Sequence, residues 1–134
     1  MIFTRVKGKN ELWYLESKSY SAIFRSVNGH DLLYLEDEDF DLSTTAAAYS
    51  LVKRLEVSTK SDLDELNLSE FNAVIATISR NLLEKQLLKP VTWLELVFIC
   101  GGKRFDPSWE PWLDVPIPTL LGMAEIAKKY LQTL

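Results

Sequence analysis

The chain has 134 residues, 47% of them hydrophobic, with a formal net charge of −4 and a single cysteine, Cys100. That size and apolar content support one domain, 1–134, with one core and no need of a metal or disulfide staple. The lone cysteine excludes an intrachain disulfide and fits a reducing cytosol, and the mild acidity argues against a generic grip on phosphate backbones or anionic membranes.

The N-terminus, MIFTRVKGKNE, lacks the order of a signal peptide, with basic residues followed by an apolar core. No run of about 18 apolar residues is available to cross a bilayer, so a soluble cytoplasmic protein without membrane contact is expected.

Residues 1–40 read as an antiparallel β-meander of about four short strands, Ile2–Val6, Glu11–Glu16, Tyr20–Val27 and Asp31–Glu36. The turns carry Gly8, then Ser17-Lys18-Ser19, then Asn28-Gly29, the dipeptide preferred in a type I′ hairpin because both central residues take positive φ. Glu11-Leu12-Trp13-Tyr14-Leu15-Glu16 and Asp31-Leu32-Leu33-Tyr34-Leu35-Glu36 resemble each other at a spacing of twenty, as two strands under one burial constraint would.

An acidic run follows, Glu36 to Asp39 and then Asp41. Asp37, Asp39 and Asp41 alternate as in a calcium loop, but Leu42 stands where such a loop needs glycine and Ala48 where it needs glutamate. The EF-hand match fails. A solvated turn is expected in preference to a divalent-cation site or a patch imitating DNA phosphates.

Residues 41–134 read as about four α-helices, which makes the fold class α+β. The first, Thr45–Glu56, places Ala48, Leu51, Val52 and Leu55 on one face, and a polar connection over Val57–Leu66 holds a short helical turn at Asp62–Leu66. Asn67–Leu88 is the most regular pattern in the chain. Leu68, Phe71, Val74, Ile75, Ile78 and Leu82 form its apolar stripe, Asn67 is the N-cap with Glu70 placed to complete a capping box, Leu66 and Phe71 can staple, and Pro90 stops it.

Val91–Cys100 has strand-like composition, but Thr92 with Glu95 fits a capping box and Gly101 a helix C-cap, so a short buried helix is expected. Lys103–Pro118 is irregular, with four prolines and two tryptophans; loops of that length are often functional. Thr119–Leu134 closes the chain as a helix with Leu120, Ala124, Ala127, Leu131 and Leu134 on one stripe.

The chemistry-bearing residues are sparse. His30 is the only histidine and sits in the expected turn. Cys100 is flanked by an apolar run that favours a buried, inert thiol over one activated by Lys103 and Arg104. There is no zinc ligand set and no phosphate loop. An enzyme would need a pocket joining carboxylates such as Glu95, Asp106 and Asp114, or His30 with Cys100. The expectation is therefore a non-catalytic protein with no metal and no cofactor.

Ser61-Asp62-Leu63-Asp64-Glu65-Leu66-Asn67-Leu68-Ser69, with the helix ending Leu82-Leu83-Glu84-Lys85-Gln86-Leu87-Leu88, resembles the second and third helices of a winged-helix or helix-turn-helix domain over less than a quarter of the chain. The resemblance implies a nucleic-acid-binding regulator whose positive face would join Arg80, Lys85, Lys103 and Arg104. It departs from the pattern in its very short first helix, in a groove-facing surface with only Arg80 as an early cation, and in lacking a wing strand after it.

The favoured expectation is a small interaction, assembly or regulatory protein, as a subunit of a larger complex or a phage-type accessory factor. Its partner would be a protein met through Arg104, Phe105, Trp109 and Trp112. Tryptophan and arginine are enriched at binding hot spots, and the prolines around them lower the ordering cost of association.

Overall fold

The computed structural model describes residues 1–6, 12–37, 45–101 and 110–132. The chain is α+β, with a four-stranded antiparallel sheet. It divides into two compact units, Met1–Ser26 with Asp39–Lys85, and Val27–Glu38 with Gln86–Leu134.

In the first unit β1 (Ile2–Arg5), β2 (Leu12–Glu16), β3 (Ser21–Arg25) and β4 (Glu56–Thr59) pair in the order β1-β2-β3-β4. Side chains alternate across a pleated strand. With Phe3 opposite Leu15, Leu15 opposite Ala22 and Trp13 opposite Phe24, all five therefore share one face. Leu15, Ala22 and Phe24 are buried there. Toward β1 the same face carries Phe3 stacked on Trp13 at 5.5 Å, with the Arg5 guanidinium 5.7 Å from the indole centre. Helix α2 (Thr45–Leu55) adds buried Ala48, Leu51, Val52 and Leu55 to this unit, and α3 (Leu68–Ile78) adds Val74, Ile75 and Ile78.

The fourth strand is a correction to the sequence reading. Asp31–Glu36 is helical, inside α1 (Gly29–Asp37) of the second unit, and Glu56–Thr59, the last residue of the expected helix with the start of the polar connection Val57–Leu66, takes the edge position beside β3. Asn28-Gly29 is accordingly not a hairpin turn. Asn28 Oδ1 accepts the Asp31 amide at 3.3 Å, while Asp31 Oδ2 accepts the Asn28 amide at 2.9 Å. This reciprocal box satisfies two helix-terminal donors and commits the chain to a helix. Gly29 is required by close approach: a Cβ there would lie 2.7 Å from Trp93 Cζ2 and 2.9 Å from Leu113 Cδ2. At the other site, the Tyr20 hydroxyl donates to Glu56 Oε2 at 2.8 Å, which fixes the start of β4 to the end of the β2–β3 turn.

The long helix after Asn67 forms as expected at its start, where Asn67 Oδ1 accepts the Glu70 amide at 2.8 Å. The box is only half made. The Glu70 carboxylate instead accepts the Ser19 amide at 2.7 Å and the Ser17 hydroxyl at 3.0 Å, pinning the helix to the β2–β3 turn. Leu68 is 74% exposed and does not belong to the buried stripe. At Ser79–Leu83 the helix widens into a π-helical turn and returns to α geometry for one turn, α4 (Glu84–Gln86). A π turn inserts a residue into the helical repeat, and here Leu82 and Leu83 are both buried. The expected short turn before this helix is a 3₁₀ turn, Leu63–Glu65, capped by Asp62.

The second unit holds α1, α5 (Pro90–Cys100), a 3₁₀ turn (Glu110–Asp114) and α6 (Ile117–Gln132). The contested segment is a helix. It opens on Pro90 with Lys89 as N-cap, and no side chain caps it, so the Thr92–Glu95 box goes unused. The buried Gln86 side chain accepts the Val27 amide at 2.8 Å, and the Val27 carbonyl accepts the Ile117 amide at 2.8 Å, joining the chain before α1 to the start of α6. Leu120 and Ala124 are buried as expected, Ala127 is half-buried, and the side chains of Leu131 and Leu134 lie outside the described residues.

Asn28→Ala is expected to cost about 1 kcal/mol in urea unfolding, and Gly29→Ala about 1–3 kcal/mol because packed side chains must move. The Glu70 carboxyl is held below its ordinary value of 4.5, chiefly by the Ser19 amide it accepts. Its stabilisation is therefore present above that value and lost as pH falls through the lower folded one. The stability gap between wild type and Glu70→Gln should narrow on acidification in urea midpoints measured at neutral and acid pH.

Candidate interaction surface

Of the residues singled out for chemistry, the structure brings His30 and Asp114 together. His30, in the first turn of α1, pairs through Nε2 with Asp114 Oδ1 at 3.0 Å, at the end of the 3₁₀ turn, and both side chains are solvent-exposed. Cys100 ends α5 with its thiol 3.8 Å from the Leu120 carbonyl of α6. Burial pushes that thiol above its ordinary range, the opposite of nucleophile activation. Glu95 lies on the exposed side of α5, and Asp106 is outside the described residues. Among the described residues no group of three or more His, Cys, Asp or Glu side chains could hold a metal ion. Asp39 and Asp41 of the acidic run lie outside them.

In the first unit two tyrosines are tied to carboxylates. Tyr49 donates to Asp64 Oδ1, and this bond, with smaller contributions from burial and nearby carboxylates, pushes its hydroxyl up to about 12. Tyr20 is raised by burial first and by Glu56 second. Both remain neutral and act as hydrogen-bond donors that tether α2 to the Leu63–Glu65 turn and the β2–β3 turn to β4.

Of the residues expected to meet a protein partner, Trp112 is half-buried in the 3₁₀ turn, where its carbonyl accepts the Val115 amide at 3.1 Å. Arg104, Phe105 and Trp109 lie outside the described residues. Of those expected to meet nucleic acid, Arg80 is exposed in the π turn and Lys85 in the turn after it, while Lys103 and Arg104 also lie outside.

The sequence reading missed a surface on α5 and α6. Helix α5 carries large apolar side chains on its exposed side as well as its buried one. Trp93, Leu96 and Val97 are buried, but Val91, Leu94 and Phe98 are exposed by 66%, 45% and 44%. A helix apolar on both sides belongs in an interior, and this one covers only half its circumference. A shallow groove of about 460 Å³ runs along its outer side, lined by Val91, Leu94, Glu95, Phe98 and Ile99. On α6, Leu120 and Ala124 face the core, while Met123, Ile126 and Tyr130 form a second stripe exposed by 40%, 72% and 66%. The signal was present in VTWLELVFIC, which has more apolar positions than one core-facing stripe needs.

Compared with protein-family models, with curated proteins and with solved structures, the chain gives no match. Among the described residues no helix is long and apolar enough to cross a membrane.

Cys100 is expected to react with iodoacetamide at neutral pH more slowly than a free cysteine, because its raised thiol leaves less thiolate. A rate equal to or above that of the free amino acid would contradict the desolvated environment.

Proposed function

We propose that this is a non-catalytic interaction protein, an assembly or regulatory subunit of the cytoplasm, that acts by docking another protein on the outer faces of α5 and α6. The observation that carries this reading is the outer side of α5, where large apolar side chains lie in solvent on a helix whose opposite side is already buried. Apolar area left in water is stabilised on removal by roughly 25 cal/mol per Å². Contiguous apolar patches on soluble proteins mark contact sites. The half-buried Trp112 and the proline-rich chain around it would extend this contact as a second anchor.

The test is affinity capture from the source cells with mass spectrometry, run with wild type, Leu94→Asp and Trp112→Ala. A carboxylate placed on the groove floor must be desolvated on docking, so Leu94→Asp should lose the captured protein while its far-UV circular dichroism stays as in wild type. Trp112→Ala should weaken capture to a smaller degree. Equal capture by wild type and Leu94→Asp would remove α5 as the site. The nucleic-acid alternative predicts strongly salt-dependent binding through Arg80 and Lys85, and a gel shift at low salt with no retarded band would dismiss it.

A further inference from the structure

The sheet of the first unit ends in two edges that are built differently. At β4 the ladder slips: Ile23 faces Ser58 but Phe24 faces Glu56, so Val57 is an extra residue, and Glu56 and Lys60 flank the strand with charge. A bulge with charges beside it spoils an edge as a template for another strand. At β1 the register against β2 runs from Ile2 to Arg5 without a break, and among the described residues β1 pairs only with β2. Ile2, Thr4 and Arg5 are exposed and Phe3 is half-buried. The Val6 amide donates to the Leu12 carbonyl at 2.9 Å. Hydrogen-bonded and non-hydrogen-bonded pairs alternate along an antiparallel ladder, so Val6, Thr4 and Ile2 bond β2, while Phe3 and Arg5 direct their amides and carbonyls outward from the sheet.

Such an edge is completed by an extended strand, and the chain's own β1 fits it in one register. Antiparallel pairing of two copies about a two-fold axis must set outward-directed residues opposite outward-directed ones. Centring on Arg5 would oppose two cations directly, and centring on Phe3 would set Arg5 opposite Met1. Centring on Thr4 sets Phe3 of each copy opposite Arg5 of the other, Thr4 opposite Thr4, and Ile2 opposite Val6. Each Phe3–Arg5 pair then exchanges both of its backbone hydrogen bonds. The side chains match as well. Phe3 stacks on Trp13 at 5.5 Å and the Arg5 guanidinium lies 5.7 Å from the indole centre, so each guanidinium stands between Trp13 of its own chain and Phe3 of the other, a cation beside two aromatic rings. Threonine pairs are favourable across strands. We propose that β1 is a self-pairing edge through which two copies join their four-stranded sheets into one. This contact lies apart from the outer faces of α5 and α6, and neither proposal depends on the other.

Copper-catalysed oxidation of the full chain carrying Thr4→Cys, followed on a non-reducing gel, reads the register. Residues opposite each other in a non-hydrogen-bonded pair have Cα atoms about 4.5 Å apart, within reach of a disulfide. Thr4→Cys should form a covalent dimer at least about tenfold faster than Ile2→Cys, whose two copies lie four residues out of register, and faster than wild type, in which Cys100 sets the background. Light scattering up to about 500 µM, where contacts of high-micromolar strength populate, should show wild type rising above the mass of one chain. Thr4→Lys and Thr4→Glu each set like charges opposite one another at an exposed position. Each should stay at one-chain mass with far-UV circular dichroism as in wild type, while their mixture associates because lysine then faces glutamate. Leu94→Asp should associate as wild type does. Equal trapping at positions 2 and 4, a mixture that stays at one-chain mass, or association lost in Leu94→Asp but kept in Thr4→Lys overturns the proposal. Wild type at one-chain mass throughout also overturns it, and leaves the docking face of α5 and α6 standing on its own test.

Discussion

The second unit depends on the five residues from Val27 to Asp31, where the chain leaves β3 and must begin a helix. The Val27 backbone is satisfied on both sides, its amide by the Gln86 side chain and its carbonyl by the Ile117 amide. Asn28 and Asp31 then close the first turn of α1 reciprocally, and Gly29 lets Trp93 and Leu113 approach to distances that no side chain would permit. Asp31 is fully buried. Its carboxylate is therefore held by hydrogen bonds rather than water, the Asn28 amide among its donors. Segments distant in sequence, α1, the end of α4, the 3₁₀ turn and the start of α6, are thus held at one short stretch.

The first unit is organised by a different device, in which polar side chains that could serve their own element reach to another. Glu70 leaves the Asn67 cap half made and takes the amide and hydroxyl of the β2–β3 turn. Tyr20 reaches Glu56, and Tyr49 reaches Asp64. Such bonds are each modest in net free energy, but they are directional, and they fix which turn meets which helix while the non-directional burial of Leu15, Phe24, Leu55 and Ile78 supplies the driving force.

The surface of α5 and α6 carries the functional argument because burial there stops short of what the residue types favour. Among the other described residues the exposed large apolar groups, such as Ile2, Val57 and Leu68, are scattered, and scattered exposure is ordinary. On α5 and α6 the exposure is periodic. The groove along α5 and the exposed stripe on α6 are what support the proposed contact surface.

What the sequence determined by itself was local: the α+β class, three strands of the sheet, the Asn67 cap, the helix over 91–100 and its excess of apolar residues. Each follows from period, capping or turn chemistry within a few residues. What only the tertiary structure decided was which of two look-alike segments became a strand. Leu12-Trp13-Tyr14-Leu15 and Leu32-Leu33-Tyr34-Leu35 have the same pattern, yet the first pairs with β1 and β3, and the second winds into a helix because Asn28 and Asp31 cap it and Gly29 admits Trp93. The vacant edge beside β3 then went to Glu56–Thr59, a segment with little apolar signal of its own, because ladder hydrogen bonds are made by backbone and β-branched edge residues need only one covered face. The candidate site was legible only in composition, since whether an apolar side chain is core or surface depends on how many neighbours the fold brings to it.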